Sequence, residues 1–242
     1  MDSNASAILI TGASSGIGKA IALRFAATAK AKICLSGRRQ EALLVLAADI
    51  CKMHSQPLPC AADLESDEEI ERLAKAVEEN FEALDILVHS AGVISQATVE
   101  QSDPVDLDRH YKVNLRAPYL LTRRLLPLLK RSQGQIVFIN SSAGLTAPAK
   151  VSQYAASKHA LKAFADSLRD EVNADGVRVL SVFLGRTATP MQAAVFGMEG
   201  RQYRPELLMQ PDDIAFMVLN ALQLPRTAEV TELKMRPFRK SY

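Results

Sequence analysis

Seven short apolar runs punctuate the chain, at 7–11, 32–36, 57–62, 85–90, 135–140, 177–183 and 229–235. Most are continuous, as in "AILIT" and "QIVFIN", and do not alternate with polar residues. A strand with one wet face alternates, so continuous runs predict strands covered on both faces, as in a parallel sheet between helices. Between the runs the period lengthens. Ile21, Phe25 and Ala29 recur every four residues. In "SDEEIERLAKAVEENF" (66–81), Ile70, Leu73, Val77 and Phe81 share one helical face, and Ser66 and Glu69 stand at capping-box spacing. Region 103–131 predicts one long helix, with kinks or breaks at Pro104, Pro118 and Pro127. A further helical stripe, Leu161, Phe164, Ala165, Leu168 and Val172, follows Tyr154. Strands and helices alternate through short connections with no linker. The expectation is an α/β fold: a single Rossmann-like domain over 1–242, a doubly wound parallel sheet of about seven strands with helices on both faces.

Composition narrows the function classes. A chain of 242 residues with 48% hydrophobic residues suits one α/β core. The net charge of +2 gives no case for a nucleic-acid partner, and the basic "RPFRK" (236–240) reads as a solvated tail. Cys34, Cys51 and Cys60 are odd in number and lack CxxC spacing, which predicts reduced thiols in the cytoplasm and no disulfide framework. No HExxH or similar metal signature occurs. The start "MDSNASAILITG" lacks the basic residues of a signal peptide, and no window approaches the ~20 apolar residues of a membrane span.

The first apolar run leads directly into "TGASSGIGKAI" (11–21). Gly12, Gly16 and Gly18 let backbone approach a pyrophosphate without a Cβ in the way, while Ser14, Ser15 and Ile17 place N–H groups at the start of the next helix. Twenty-five residues after Gly12, where a ribose-binding acid would end the second strand, the chain reads "SGRR" (36–39). An acid there would repel a 2′-phosphate; Arg38 and Arg39 attract one. Two cations also sit poorly at a helix start, which argues against a bland role. The balance favours NADP(H) over NAD(H).

These pieces recur with others in one order: "TGASSGIG" (11–18), "DL" (63–64), "HSAG" (89–92), Asn114 in "KVNLRAPYLL", "NSSAG" (140–144), "YAASK" (154–158) and "LGRTATPM" (184–191). Together they resemble the classical short-chain dehydrogenase/reductase family. The resemblance implies a catalytic tetrad of Asn114, Ser141, Tyr154 and Lys158, with Ser142 as the alternative hydroxyl. It also implies that Asp63 and Leu64 hold the adenine, that Ser90, Ala91 and Gly92 line the nicotinamide ribose, and that Thr187 and Thr189 meet the carboxamide and phosphates. The chain departs from the family pattern in two places, at three residues. His89 and Ser90 stand where two Asn are usual, which alters the anchoring of the central helix. Leu184 replaces a Pro before Gly185, which predicts a less rigid loop.

The chemistry of the tetrad follows from ordinary acidities. A phenol titrates near pH ~10 and needs a nearby cation to exchange protons around neutrality. Lys158 lies one helical turn after Tyr154, on the same face. By resemblance, Lys158 would also hold the ribose, Ser141 the substrate oxygen, and Asn114 a water of a proton relay. The segment 191–210, with Met191, Phe196, Met198, Tyr203 and Met209 beside Gly197 and Gly200, reads as a lid over a fairly apolar substrate. The expectation is an oxidoreductase acting on a carbonyl/alcohol pair, in a homodimer or homotetramer. The alternatives are a catalytically silent NADP-binding regulator and an epimerase or dehydratase of the same fold. His159 and His89 read as structural.

Overall fold

The computed structural model describes residues 5–239. The acidic N-terminal start at 1–4 and Lys240, the last residue of the basic stretch, lie outside the described residues. Seven strands form one sheet: β1 (Ser6–Thr11), β2 (Ala31–Gly37), β3 (Gln56–Ala61), β4 (Ile86–His89), β5 (Gln135–Ser141), β6 (Arg178–Leu184) and β7 (Glu232–Met235). They lie in the order β3-β2-β1-β4-β5-β6-β7, and every neighbouring pair is parallel. Helices α1 (Gly16–Thr28), α2 (Gln40–Lys52), α3 (Asp67–Asn80), α4 (Pro104–Tyr111), α5 (Ala117–Ser132), α6 (Ser152–Val172), α7 (Pro190–Met198) and α8 (Pro211–Leu222) connect them.

The continuous apolar runs bury both faces of the strands. Ile8 and Ile10 of β1, Ile33 and Leu35 of β2, and Val137 and Ile139 of β5 pack with Phe25, Leu46 and Ile214 of α1, α2 and α8. Their neighbours Leu9, Cys34, Ile136 and Phe138 pack with Leu73, Leu125 and Leu161 of α3, α5 and α6. Each such side chain contributes roughly 1.5–3 kcal/mol of burial. The chain runs outward from β1 to β3, then returns past β1 to build the other half of the sheet. Loops after β1 and β4 therefore part in opposite directions, and a crevice opens at Thr11 and His89, which pair at the carboxyl ends of the two strands.

Three local expectations are refined. The helical region 103–131 is interrupted just ahead of Pro118, one of its expected break points: Lys112–Arg116 form a π-turn between α4 and α5, in which the Ala117 N–H donates to the Lys112 carbonyl. Pro118 has no N–H to give the Asn114 carbonyl, and the extra residue turns Val113 and Asn114 into the interior. Pro127 leaves α5 intact, because both it and Arg123, whose carbonyl it leaves unpaired, are on the solvent side. At α3 only half of the capping box forms. The Ser66 hydroxyl accepts from the Glu69 N–H at 3.3 Å, but the Glu69 carboxylate accepts from the Asp63 N–H, 2.6 Å away. At the last strand, pairing starts at Glu232, not at residue 229, since the Glu229 carboxylate itself takes the Val179 N–H at 2.7 Å.

Candidate active site

Gly12 and Gly16 adopt φ of +68° and +55°, the left-handed region that side chains resist. A Cβ on Gly12 would lie 2.8 Å from the Ala91 nitrogen, and one on Gly18 would lie 2.5 Å from the Gly12 carbonyl oxygen. The glycines thus let the turn after β1 lie against both the start of α1 and the segment after β4. The Thr11 hydroxyl fastens that segment, accepting from the N–H groups of Ser90 and Ala91 at 3.1 and 3.3 Å. Helix α1 begins with no side-chain cap from Ser15 and no acid in its first turn, which leaves its positive end open to an anion.

A cleft of about 630 Å³ opens above this turn. Gly12, Ser14, Ser15, Gly16 and Ile17 line it, with Arg38 and Arg39 after β2, and Asp63 and Leu64 after β3. Ser90, Ala91 and Gly92, then Ser141, Tyr154 and Lys158, and finally Thr187 and Thr189 complete the set. Two predicted residues are elsewhere. Gly18 packs inside α1 against Gly12, and Asn114 lies fully buried behind Gly92. Both arginines are exposed, and Arg39 donates to the Ser14 carbonyl at 3.2 Å. A Cβ on Gly37 would come within 3.2 Å of the Ser14 hydroxyl, so an acid there would crowd the turn. The Asp63 carboxylate accepts from the Glu65 N–H, and Leu64 is buried.

Around Tyr154 the groups are close. The Ser141 hydroxyl is within hydrogen-bonding reach of the phenol, whereas Ser142 is exposed. Burial raises the phenol above its usual acidity range, and the Ser141 hydrogen bond opposes that rise. The Lys158 Nζ stands 5.9 Å from the Tyr154 ring centroid, and burial lowers its pKa to about 8. Asn114 spends its side chain elsewhere. Its Oδ1 accepts from the Val93 N–H at 2.9 Å, and its Nδ2 donates to the Val93 carbonyl and the Ser157 hydroxyl, each at 3.0 Å.

The two departures acquire concrete partners. His89 is buried, hydrogen-bonded to Thr122 of α5 at 2.9 Å and stacked on Phe138, so it ties β4 to the central helix. Gly185 donates to the Met235 carbonyl at 2.8 Å, and Met209 pairs with both Arg186 and Ala188, so backbone bonds hold the loop after β6 at its root. Met209 packs in the hydrophobic core.

Several cleft residues escaped the sequence. The Glu199 carboxylate at the end of α7 bonds Arg186 at 2.8 Å and accepts from Gln96 at 3.4 Å, joining three wall segments. Arg186 also lies over the Phe196 ring, 4.7 Å from its centroid. No spacing rule relates residues so far apart. Outside the cleft lining, His110 lies one helical turn before Asn114 and carries no motif of its own; it is buried with its ring edge-on to Tyr154.

The model of the short chain dehydrogenase family matches residues 6–200. The chain belongs to the short chain dehydrogenase family. Among its relatives is an uncharacterized short-chain type dehydrogenase/reductase of Sinorhizobium fredii, 34% identical over 237 residues, covering 95% of this chain and 90% of the relative. Among solved structures, an alcohol dehydrogenase from the archaeon Thermococcus sibiricus, complexed with 5-hydroxy-NADP, has a TM-score of 0.88 at 27% identity, covering 99% of this chain and all of that one. A metagenomic short-chain oxidoreductase in complex with NADP has a TM-score of 0.83 at 29% identity, covering 97% and 98% of the two chains. A family of oxidoreductases on a Rossmann-like sheet is therefore this chain's setting. Among the described residues, no helix is long and apolar enough to cross a membrane.

Proposed function

We propose that the chain is an NADP(H)-dependent oxidoreductase that interconverts a carbonyl and an alcohol, with Tyr154 as the acid/base. The observation that carries this reading is that Tyr154, with Ser141 and Lys158 beside it, lines the same cleft as the glycine turn. The cradle fits a dinucleotide: Gly12 and Gly16 leave room that a Cβ would fill, and the uncapped start of α1 suits a pyrophosphate. Arg38 and Arg39 suit a 2′-phosphate, and the NADP complexes of the two solved relatives support that choice. Asp63 and Leu64 would receive the adenine, Ser90 to Gly92 the nicotinamide ribose, and Thr187 and Thr189 the carboxamide and phosphates. The cofactor, when bound, supplies the hydride.

The protein's own residues handle the proton. The raised acidity range of Tyr154 keeps the phenol protonated at neutral pH, as a donor to a carbonyl oxygen must be. Ser141 holds that oxygen and shares its hydrogen bond with the phenol. Charged Lys158 then stabilises the phenolate left behind. Asn114 enters through its main-chain carbonyl, which Pro118 cannot cap, as the water-holding end of a proton relay.

Val93, Ile94, Val151, Leu184 and Met191 also line the cleft, which supports a fairly apolar substrate. We read 1–242 as one cofactor-binding domain with 191–210 as its lid. Exposed Leu107, Tyr111 and Tyr119 support association through α4 and α5 as a homodimer or homotetramer. The test is a panel of ketones, aldehydes and alcohols assayed with NADPH and NADH. Turnover with NADPH supports the reading; NADPH binding without turnover of any compound favours a silent regulator.

A further inference from the structure

His110 is used by no step above, yet it is 1% exposed and touches two parts of the site at once. On its own helix, its Nδ1 lies 2.5 Å from the Asp106 carbonyl oxygen. On the other side, its Nε2 lies 3.1 Å from the Ser95 nitrogen. A carbonyl can only accept and a backbone N–H can only donate. The imidazole must therefore be neutral, with its proton on Nδ1 and a lone pair on Nε2. Across its face, the His110 ring meets the Tyr154 ring edge-on at 6.1 Å between centroids.

Four residues later on the same helical run, Asn114 grips Val93 through its N–H and its carbonyl. His110 and Asn114 thus hold Val93 and Ser95, two residues apart in the segment after β4 whose Val93, Ile94 and Gln96 line the cleft. A carbonyl substrate must fit between that wall and the phenol, so the spacing of the two matters to proton transfer.

We propose that His110 is a positioning residue that sets the wall 93–96 and the Tyr154 phenol relative to one another by accepting the Ser95 N–H from beneath the ring. The proposal rests on the carbonyl-reduction reading for its kinetic consequence, and on geometry alone for the anchoring. The charged and titratable groups around the imidazole are Asp106 and Arg109 on its own helix, and Tyr154 and Lys158 on α6. Burial and the Arg109 and Lys158 charges disfavour an imidazolium, whereas Asp106 opposes them.

Three measurements test it. In the unaltered protein labelled with nitrogen-15 histidine, the imidazole shifts of His110 should report the neutral Nδ1–H tautomer at neutral pH; an Nε2–H tautomer or an imidazolium would overturn the proposal. Next, His110→Phe keeps a ring against Tyr154 but has no acceptor, whereas the amide oxygen of His110→Gln can still accept. Hydrogen exchange of 93–96 should quicken about tenfold in His110→Phe and return towards the original rate in His110→Gln. Equal protection in both variants would overturn it. Finally, on the best carbonyl of the panel, His110→Phe should lower kcat about tenfold with NADPH affinity unchanged, and His110→Gln should recover most of it. An unchanged kcat in His110→Phe would remove the kinetic role. The first two measurements need no turnover, so they decide the anchoring even if no carbonyl is reduced, a result that would end the reduction reading instead.

Discussion

The Lys158 ammonium donates to the main-chain carbonyl of Ile139, 3.1 Å away, with only 5% of the lysine exposed. One carbonyl is a poor substitute for water, and the pKa falls to about 8. Gly92 keeps the space beside that amine open, since a Cβ there would lie 3.8 Å from Nζ and 3.3 Å from the Asn114 Oδ1. Lys158 thus carries its charge at neutral pH but stands close to losing it.

A pH dependence follows. In the proposed mechanism the charged lysine stabilises the Tyr154 phenolate below pH 8, and above it that charge is lost. Carbonyl reduction should hold level through neutrality and fall about tenfold per unit once the pH passes about 8. A rate profile of kcat/KM against pH checks this, and a plateau extending to the usual lysine range would exclude Lys158 as the charge that matters.

Cofactor choice should move with the two arginines. Replacing Arg38 or Arg39 by Asp removes a guanidinium and adds repulsion towards a 2′-phosphate. A charge-assisted hydrogen bond is worth about 1.5–3 kcal/mol, so the NADPH/NADH preference should drop roughly 10- to 100-fold. Fluorescence titration with both cofactors measures the ratio. Because Arg39 also donates to the Ser14 carbonyl, its loss should loosen the glycine turn as well.

Gly12→Ala should damage both the fold and cofactor binding. The φ of +68° alone costs about 1–3 kcal/mol for a residue with a Cβ. The contact of 2.8 Å with Ala91 adds to it, because backbone cannot move aside as a side chain can. Thermal denaturation should show a lower midpoint, and NADPH titration a weaker complex.

Acid stability should depend on His89. Its burial lowers its pKa to about 3 from the usual 6.5, so the folded protein keeps the imidazole neutral while the unfolded chain protonates it. The resulting stability is complete above pH 6.5 and is lost as the pH falls towards 3, with about 5 kcal/mol as the upper bound. Urea unfolding of His89→Asn against pH should show a shallower loss across that window.

Much of the scaffold was legible in the sequence because it follows from burial. Strands covered on both faces need continuous apolar runs, and all seven runs became strands. The turn after β1 was legible because glycine takes its left-handed φ angles without strain and lets the Ala91 backbone come close. What escaped depends on contacts between distant residues. The start of β7 is set by Glu229 reaching Val179, and the π-turn ahead of Pro118 carries Asn114 into the interior. The side-chain amide of Asn114 is consumed by Val93, which only the packed structure brings near. The Glu199 junction draws on Gln96 and Arg186, which are 103 and 13 residues away.

The proton-transfer role of Tyr154 is tested most directly by Tyr154→Phe, which removes one oxygen and leaves the ring against His110. Steady-state reduction with NADPH should fall by about 10²–10⁴-fold, while fluorescence titration gives the NADPH affinity of the unaltered protein. Retained turnover in Tyr154→Phe, with the cofactor bound as tightly, would contradict the assignment of the phenol as proton donor.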